Sequence, residues 1–156
     1  VKPIDLARNF EKEYHEDMKA LGVDSVDKYA RATDNIKEII KQIETLMDKG
    51  YAYIIENDGV YFNLSKFPEY GKLSGISLSG LKTGARVSQD EYAKDSASDF
   101  VLWKSWGEKD GEVFWPTSLG KGRPGWHIEC SAMSTALLGE SFDLHCGGVD
   151  LIFPNH

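Results

Sequence analysis

Two stripes of hydrophobic residues at helical spacing open the chain. In residues 4–21, apolar side chains recur at steps of four and three, which predicts a helix that ends before Gly22. A second stripe runs through residues 36–47 and ends at Gly50, with Thr33 as its predicted N-cap. We expect both stripes to pack against other helices. The stripe residues are Leu6, Phe10, Tyr14, Met18 and Leu21 in the first helix, and Ile36, Ile39, Ile40, Ile43, Leu46 and Met47 in the second.

The pattern then changes to short β-branched and aromatic runs. Residues 51–56 and 60–64 flank Asn57-Asp58-Gly59, and an Asp-Gly pair between two such runs predicts a β-hairpin. Residues 100–103 predict another short strand. Gly, Ser, Pro and scattered charges indicate that residues 65–98 are mostly loop, with one helical turn near 78–84. Residues 107–122 are predicted to be a second loop.

The last third predicts an α/β arrangement. Residues 125–138 read as a helix stopped by Gly139, and residues 142–146 as a short buried strand before a glycine turn. A strand, a glycine turn and a polar residue in that order are typical of the ligand-facing edge of an α/β sheet. Phe153-Pro154 resembles the start of another helix, so we expect the chain to be a fragment of a longer protein.

Composition narrows the possible classes of protein. The 156 residues include 18 Lys and Arg against 25 Asp and Glu, a net charge of −7, so any contact with nucleic acid must be local. The apolar runs are too short for a membrane helix, and no signal peptide is evident. Two cysteines in an acidic chain favour a reducing cytosol over a disulfide scaffold.

Two segments could carry chemistry. Trp126 and Cys130 are four residues apart and share a helix face, so the thiolate could bind a soft metal such as Zn²⁺, or the pair could be buried core. Gly147 and Gly148 could let the backbone approach a nucleotide while Asp150 binds its ribose, or they could form a plain turn. Basic and aromatic residues between positions 66 and 123 could hold a nucleic-acid end, or be solvated surface.

Longer motifs identify a family. Residues 122–133 read GRPGWHIECSAM, residues 70–75 read YGKLSG, residues 99–104 read DFVLWK, and FDLH and GGVDLIFP fill residues 142–145 and 147–154. On these motifs the chain resembles the cysteinyl-tRNA synthetases, which are class I aminoacyl-tRNA synthetases with a zinc-containing cysteine pocket. The motifs in the last third of the chain are shared mainly with one sister family, the cysteine ligases of mycothiol synthesis.

The resemblance implies an α+β fragment of a class I synthetase α/β (Rossmann-like) catalytic domain with an inserted connective-peptide region. Residues 1–50 would be a helical segment that bridges the catalytic domain and the insertion. Residues 51–120 would be the insertion with a small antiparallel sheet, nearest the acceptor end of tRNA. Residues 121–156 would begin the second half of the nucleotide-binding domain.

The resemblance also implies a reaction and its participants. Cysteine would be activated by ATP with Mg²⁺ and transferred to tRNA(Cys) by a cytoplasmic, monomeric ligase. Trp126, His127 and His145 would contact the substrate; Gly147, Gly148 and Asp150 would bind the nucleotide; Cys130 would be a zinc ligand. No catalytic residue is assigned, and the fragment alone should be inactive. Lys72, Lys121 and Arg123 would share a surface that faces tRNA.

Two positions depart from the family pattern. Cys146 stands where the family has Gly, and Asn155 stands where it has a zinc-binding His, with His156 at a second His that is not the usual ligand. An amide oxygen is a weaker donor for Zn²⁺ than imidazole. We therefore expect no ordered zinc in this piece, because a site needs three or four good ligands, and a weakened site in the complete protein.

Two alternative functions stay open. The first is the mycothiol-pathway ligase, which joins cysteine to an aminoglycoside sugar; that family has Gln where this chain has His145, so His145 favours the tRNA enzyme. The second is a non-catalytic module that binds a tRNA end.

Overall fold

A computed structural model describes residues 2–75 and 99–152. The chain divides between Arg31 and Ala32 into two compact units. The predicted divisions near residues 50 and 120 refer to the complete protein and stay predictions. The helical turn predicted near 78–84 and the helix entrance at 153–154 lie outside the described residues. In the described parts of the chain, no helix is long and apolar enough to cross a membrane.

The first unit consists of one helix and the segment that follows it. Helix α1 spans Pro3–Ala20, with Pro in its first turn, and the chain leaves it through Gly22 at φ +73°. The predicted helix is confirmed, but its predicted packing is not found among the described residues: Phe10 is 61% exposed and α1 buries no residue. Residues 23–31 form no helix that could cover the stripe, although the Tyr29 ring makes edge contacts with Tyr14 and His15.

In its described residues the second unit has a five-stranded antiparallel sheet and two α-helices, so the α+β class is confirmed. The strand order is β1-β2-β3-β5-β4, and every neighbouring pair is antiparallel. In chain order the elements are α2 (Ile36–Asp48), β1 (Ala52–Ile55), β2 (Gly59–Phe62), β3 (Phe100–Ser105), β4 (Trp115–Thr117), β5 (Gly120–Pro124) and α3 (Trp126–Leu138).

The hairpin of β1 and β2 forms where the sequence predicts it. Ile55 pairs with Gly59, and Asn57 takes a left-handed conformation at φ 62°, which Asn tolerates better than most residues. The Tyr61 hydroxyl donates to the Asp58 carboxylate at 2.9 Å. The turn is therefore held by its own side chains as well as by the strand ladder.

Three local predictions are wrong. Residues 107–122 are not all loop, because β4 and β5 form a hairpin there; glycines at 120 and 122 lower strand propensity, but Gly122 leaves room for close pairing with β3. Residues 142–146 form no strand and are exposed, because no described segment pairs with them. Thr33 is not the cap of α2, since Asn35 occupies that position without a side-chain bond.

The core lies between the sheet and helices α2 and α3. Ile39 and Ile43 of α2 and Ile128 of α3 pack against the middle strands, and α2 contacts α3 directly. The packing predicted for the second stripe is therefore confirmed. Trp103 of β3 is completely buried at the centre of this cluster, together with Val60, Phe62, Leu64, Leu102 and Ala132.

One buried carboxylate joins the start of β3 to the end of β2. Asp99 is 2% exposed and accepts hydrogen bonds from the Leu64 backbone N–H at 3.0 Å and the Tyr53 hydroxyl at 2.9 Å. A buried charge persists only when hydrogen bonds replace its lost hydration. Asp99 therefore fixes where the chain enters β3.

We predict that Asp99→Ala lowers the free energy of unfolding by about 3 kcal/mol, because it removes two charge-assisted bonds and leaves the Leu64 N–H unsatisfied. Tyr53→Phe removes one bond and should cost about 1 kcal/mol. Urea titrations of the two variants measure both values. Equal losses of unfolding free energy in the two variants would contradict a stabilising role for the hydrogen bond between Asp99 and the Leu64 backbone.

Candidate functional site

The first turn of α3 carries three of the predicted site residues, and β3 fixes its position. The Gly125 N–H donates to the Leu102 carbonyl at 2.8 Å, so the chain turns from β5 into α3 directly beside the sheet. A Cβ at Gly125 would overlap the Val101 carbonyl group. The start of α3 therefore depends on a glycine whose backbone touches β3.

Helix α3 divides its side chains between the core and the surface. Ile128 and Ala132 are buried, whereas Trp126 is 62% exposed and Cys130 is exposed. Four-residue spacing places Trp126 and Cys130 on a common face, as predicted. The alternative of a buried structural cysteine beside a core tryptophan is wrong.

The His127 side chain faces the sheet, unlike the side chains of Trp126 and Cys130. Its ring makes an edge contact with Phe100 of β3, with the ring centroids 5.4 Å apart. Of the three residues in this turn, His127 is the one that lines the cavity beneath the helix. The first turn of α3 thus presents one aromatic ring and one thiol outward and one imidazole inward.

The electrostatics around Cys130 favour the neutral thiol. Neighbouring groups partly desolvate its sulfur although the residue is exposed, and this desolvation, with the nearby Glu129 carboxylate, raises the pKa of Cys130 above its usual value. Burial also raises the pKa of Glu129, and the positive charge of Arg123 opposes that rise. A raised pKa disfavours the thiolate, which is the nucleophilic form of cysteine.

The described parts of the chain contain no cluster of potential metal ligands. No group of three or more His, Cys, Asp or Glu side chains there is arranged to hold a metal ion. Asn155 and His156, at the positions that correspond to the paired histidines of the family, lie outside the described residues. Cys130 alone is too few ligands to retain Zn²⁺.

The predicted nucleotide-binding residues follow α3 in an exposed segment. His145, Gly147 and Gly148 are exposed and belong to no regular element, and Asp150 lies in a short 3₁₀ turn, Val149–Leu151. Gly148 has φ −72°, a conformation open to any residue. The predicted need for glycine at this position therefore does not come from its backbone angles.

A cavity of about 480 Å³ lies between α2, α3 and the sheet. Its wall is largely aromatic, and burial raises the pKa of Tyr70 to about 12. Sequence patterns do not predict this cavity, because its walls come from segments far apart in the chain. The only sequence signal is the density of aromatic residues between 51 and 100. The lining residues include Tyr51, Phe62, Phe67, Tyr70, Phe100 and His127.

The three basic residues predicted to face tRNA each have a partner within the chain. The Lys121 ammonium lies over the Trp106 ring, 3.3 Å from its centroid. Arg123 pairs with Asp110 at 3.5 Å, and Lys72 with Glu69 at 3.1 Å. Their shared surface stays a prediction.

Comparison with known proteins identifies the family of the chain. The family model described as the tRNA synthetases class I (C) catalytic domain matches residues 2–156, so the chain belongs to this family of class I synthetases. The relatives it resembles are cysteine–tRNA ligases. The chain is 56% identical to that of Pyrococcus horikoshii over 99% of its own length, and 50% identical to that of Chlamydia muridarum over 90%. It spans about a third of the length of these relatives, 32% and 30% respectively.

We predict that Gly125→Ala lowers the free energy of unfolding by about 1–3 kcal/mol, the usual cost of forcing extra atoms into a packed position. Gly107→Ala is the matched control, because a Cβ there meets only the Asp110 carboxylate at 3.7 Å; its effect should stay within about 0.5 kcal/mol. Thermal or urea unfolding distinguishes the two. A Gly125 variant as stable as the control would show that α3 does not depend on this contact.

The pKa of Cys130 predicts a pH effect. In a Cys146→Ser background with a metal chelator present, Glu129→Gln removes a negative charge that disfavours the thiolate, so the pKa of Cys130 should fall. The pH profile of iodoacetamide alkylation should then shift to lower pH, with faster reaction at any pH below the original midpoint. An unchanged or upward-shifted profile would contradict the assigned influence of Glu129.

Proposed function

We propose that this chain is a catalytic-domain segment of a cysteine–tRNA ligase. The observation that supports the proposal most strongly is 56% identity to a cysteine–tRNA ligase over 99% of the chain. The complete protein would activate cysteine with ATP and Mg²⁺ and transfer it to tRNA(Cys). A monomeric state and a cytosolic location belong to the same proposal.

In the proposed function, residues at the start of α3 would face the substrate. Trp126 and Cys130 are exposed on one helix face, where they can meet a substrate held by other parts of the complete protein. His127 would support the pocket from the side of the cavity. His145 would contact the substrate as well, while Gly147, Gly148 and Asp150 would lie against the nucleotide.

Cys130 fits one ligand position of a zinc site. It is a soft donor, it is exposed, and it shares a face with an aromatic ring. A bound zinc ion would supply a ligand position for the cysteine thiolate that a serine hydroxyl fills poorly. The described residues hold no group of three ligands, so the others would have to come from elsewhere in the complete protein.

Activity of the complete polypeptide tests the proposal. It should catalyse exchange of pyrophosphate into ATP when cysteine is present and much less when serine replaces cysteine, and it should charge tRNA with cysteine. Exchange with transfer to an aminosugar and not to tRNA would identify the mycothiol-type ligase. Binding of tRNA without exchange would identify a non-catalytic module.

Metal analysis tests the proposed zinc ligand. The complete protein should contain zinc, and Cys130→Ser should lower its zinc content or weaken its resistance to chelators, because a hydroxyl replaces a thiolate. Cys146→Ser is the matched control and should leave the zinc content unchanged. Stoichiometric zinc that survives Cys130→Ser with unchanged resistance to chelators would remove Cys130 from the site.

Charge reversal tests the predicted tRNA surface that includes Lys72, Lys121 and Arg123. Lys72→Glu with Lys121→Glu should weaken tRNA binding by the complete protein and reduce the steepness of its salt dependence, because two contacts to phosphate are lost. Lys37→Glu with Lys41→Glu, which reverses the charge of two exposed lysines of α2, is the matched control. Affinity and salt dependence like those of the control would exclude this surface.

A further inference from the structure

Aromatic rings form most of the wall of the cavity beneath α3. Phe62 and Phe100 stack with their ring centroids 5.1 Å apart, and the Tyr70 ring lies 6.3 Å from that of Phe62. Phe67, 6.4 Å from Phe62, is 41% exposed, so the wall reaches the surface. Such rings offer flat faces and polar edges to a planar ring that lies against them. We call this site the aromatic cavity; its aromatic lining residues are Tyr51, Phe62, Phe67, Tyr70, Phe100 and His127.

The size and lining of the aromatic cavity suit a small molecule. Its volume of about 480 Å³ lies within the roughly 300–1,000 Å³ typical of ligand sites, whose walls are mainly apolar with a few polar groups. The Gln42 amide of α2 donates to the Ser131 hydroxyl of α3 at 2.6 Å, and both residues line the cavity. This bond holds the two helices together before any ligand is present, which lowers the entropic cost of binding.

The edge of the aromatic cavity carries positive charge and no carboxylate. Among the described residues that line it, Lys49 is cationic, His127 can become so, and none is Asp or Glu. Lys49, at the end of α2, is exposed and makes no ion pair with a described residue; the adjacent Asp48 does not line the cavity. Tyr70 adds no charge at neutral pH, because burial raises its pKa to about 12. This local balance favours an anion over a cation on a chain whose net charge is −7.

The aromatic cavity lies on the inner side of α3, away from the exposed face described above. His127 and Ile128 line it, whereas Trp126 and Cys130 do not. A ligand in the cavity would therefore contact the sheet side of the helix and leave the Trp126 ring and the Cys130 thiol uncovered.

We propose that the aromatic cavity binds a small planar aromatic anion, a carboxylate or sulfonate, whose ring packs against Phe67 and Phe100 and whose charge meets the Lys49 ammonium. This site is additional to the proposed function and requires neither tRNA nor catalysis. Aromatic cavities also take quaternary ammonium ions, which the lysine at this edge disfavours. Another segment of the complete polypeptide is the competing occupant.

The test uses two fluorescent probes and two pairs of variants in the complete polypeptide. The anionic probe is 8-anilinonaphthalene-1-sulfonate, and its uncharged analogue is N-phenyl-1-naphthylamine. Lys49→Gln removes the charge at the edge, and Lys41→Gln, an exposed lysine of α2 outside the cavity, is its matched control. Phe67→Ala removes one ring of the wall, and Phe10→Ala removes an exposed ring of α1. Circular dichroism verifies that each variant is folded.

We expect Lys49→Gln to weaken binding of the sulfonate about threefold and to leave binding of the uncharged probe unchanged, because only the sulfonate meets the lysine. Phe67→Ala should weaken both probes by about five- to tenfold. Both controls should bind like the parent protein.

Three results would overturn the proposal. The first is no saturable binding of the sulfonate, as expected if another segment of the polypeptide fills the aromatic cavity. The second is binding that responds to Phe10→Ala or Lys41→Gln and not to Phe67→Ala and Lys49→Gln. The third is displacement of the sulfonate by choline but not by benzoate. Pyrophosphate exchange is measured separately: its absence would contradict the proposed function and leave the probe results valid.

Discussion

The second unit depends on how closely other backbone segments approach strand β3. A Cβ at Gly59 would overlap the Trp103 carbonyl, one at Gly122 would overlap the Lys104 carbonyl, and one at Gly125 would overlap the Val101 carbonyl. These three glycines belong to β2, β5 and the start of α3. One strand therefore sets the positions of both its neighbours in the sheet and of the helix that carries the candidate site.

Packing around Trp103 reinforces this arrangement. Its side chain is completely buried between the sheet and the helices, and the space beside its indole nitrogen is available only because residue 122 has no side chain. A hydrogen bond from Gln42 of α2 to Ser131 of α3 joins the two helices, and one from Ser118 to Glu44 joins the β4–β5 turn to α2. Helix α3, whose outer face exposes Trp126 and Cys130, thus packs on a core formed by the sheet and both helices.

Sequence periodicity predicted the elements that are stabilised locally. Helices α1 and α2 carry their own apolar stripes, α3 ends at a glycine stop signal, and the hairpin of β1 and β2 carries its turn residues, so short segments suffice to predict them. Strands β4 and β5 were missed because GKGRP lacks the β-branched residues that mark a strand; β5 forms because β3 pairs with it. Residues 142–146, in contrast, have an apolar pattern typical of a strand but no described strand to pair with. The shared face of Trp126 and Cys130 followed from helical spacing, whereas the aromatic cavity, built from distant segments, had no comparable signal.

The bond between Asp99 and the Leu64 backbone has a consequence for how the unit tolerates changes in length. These two residues are 35 positions apart in sequence, yet their hydrogen bond joins the end of β2 to the start of β3. A hydrogen bond specifies which two residues meet and not the path of the chain between them. The register of β3 therefore depends on the two ends of this connection, and loss of the bond would cost more stability than a change of length that leaves both ends in place.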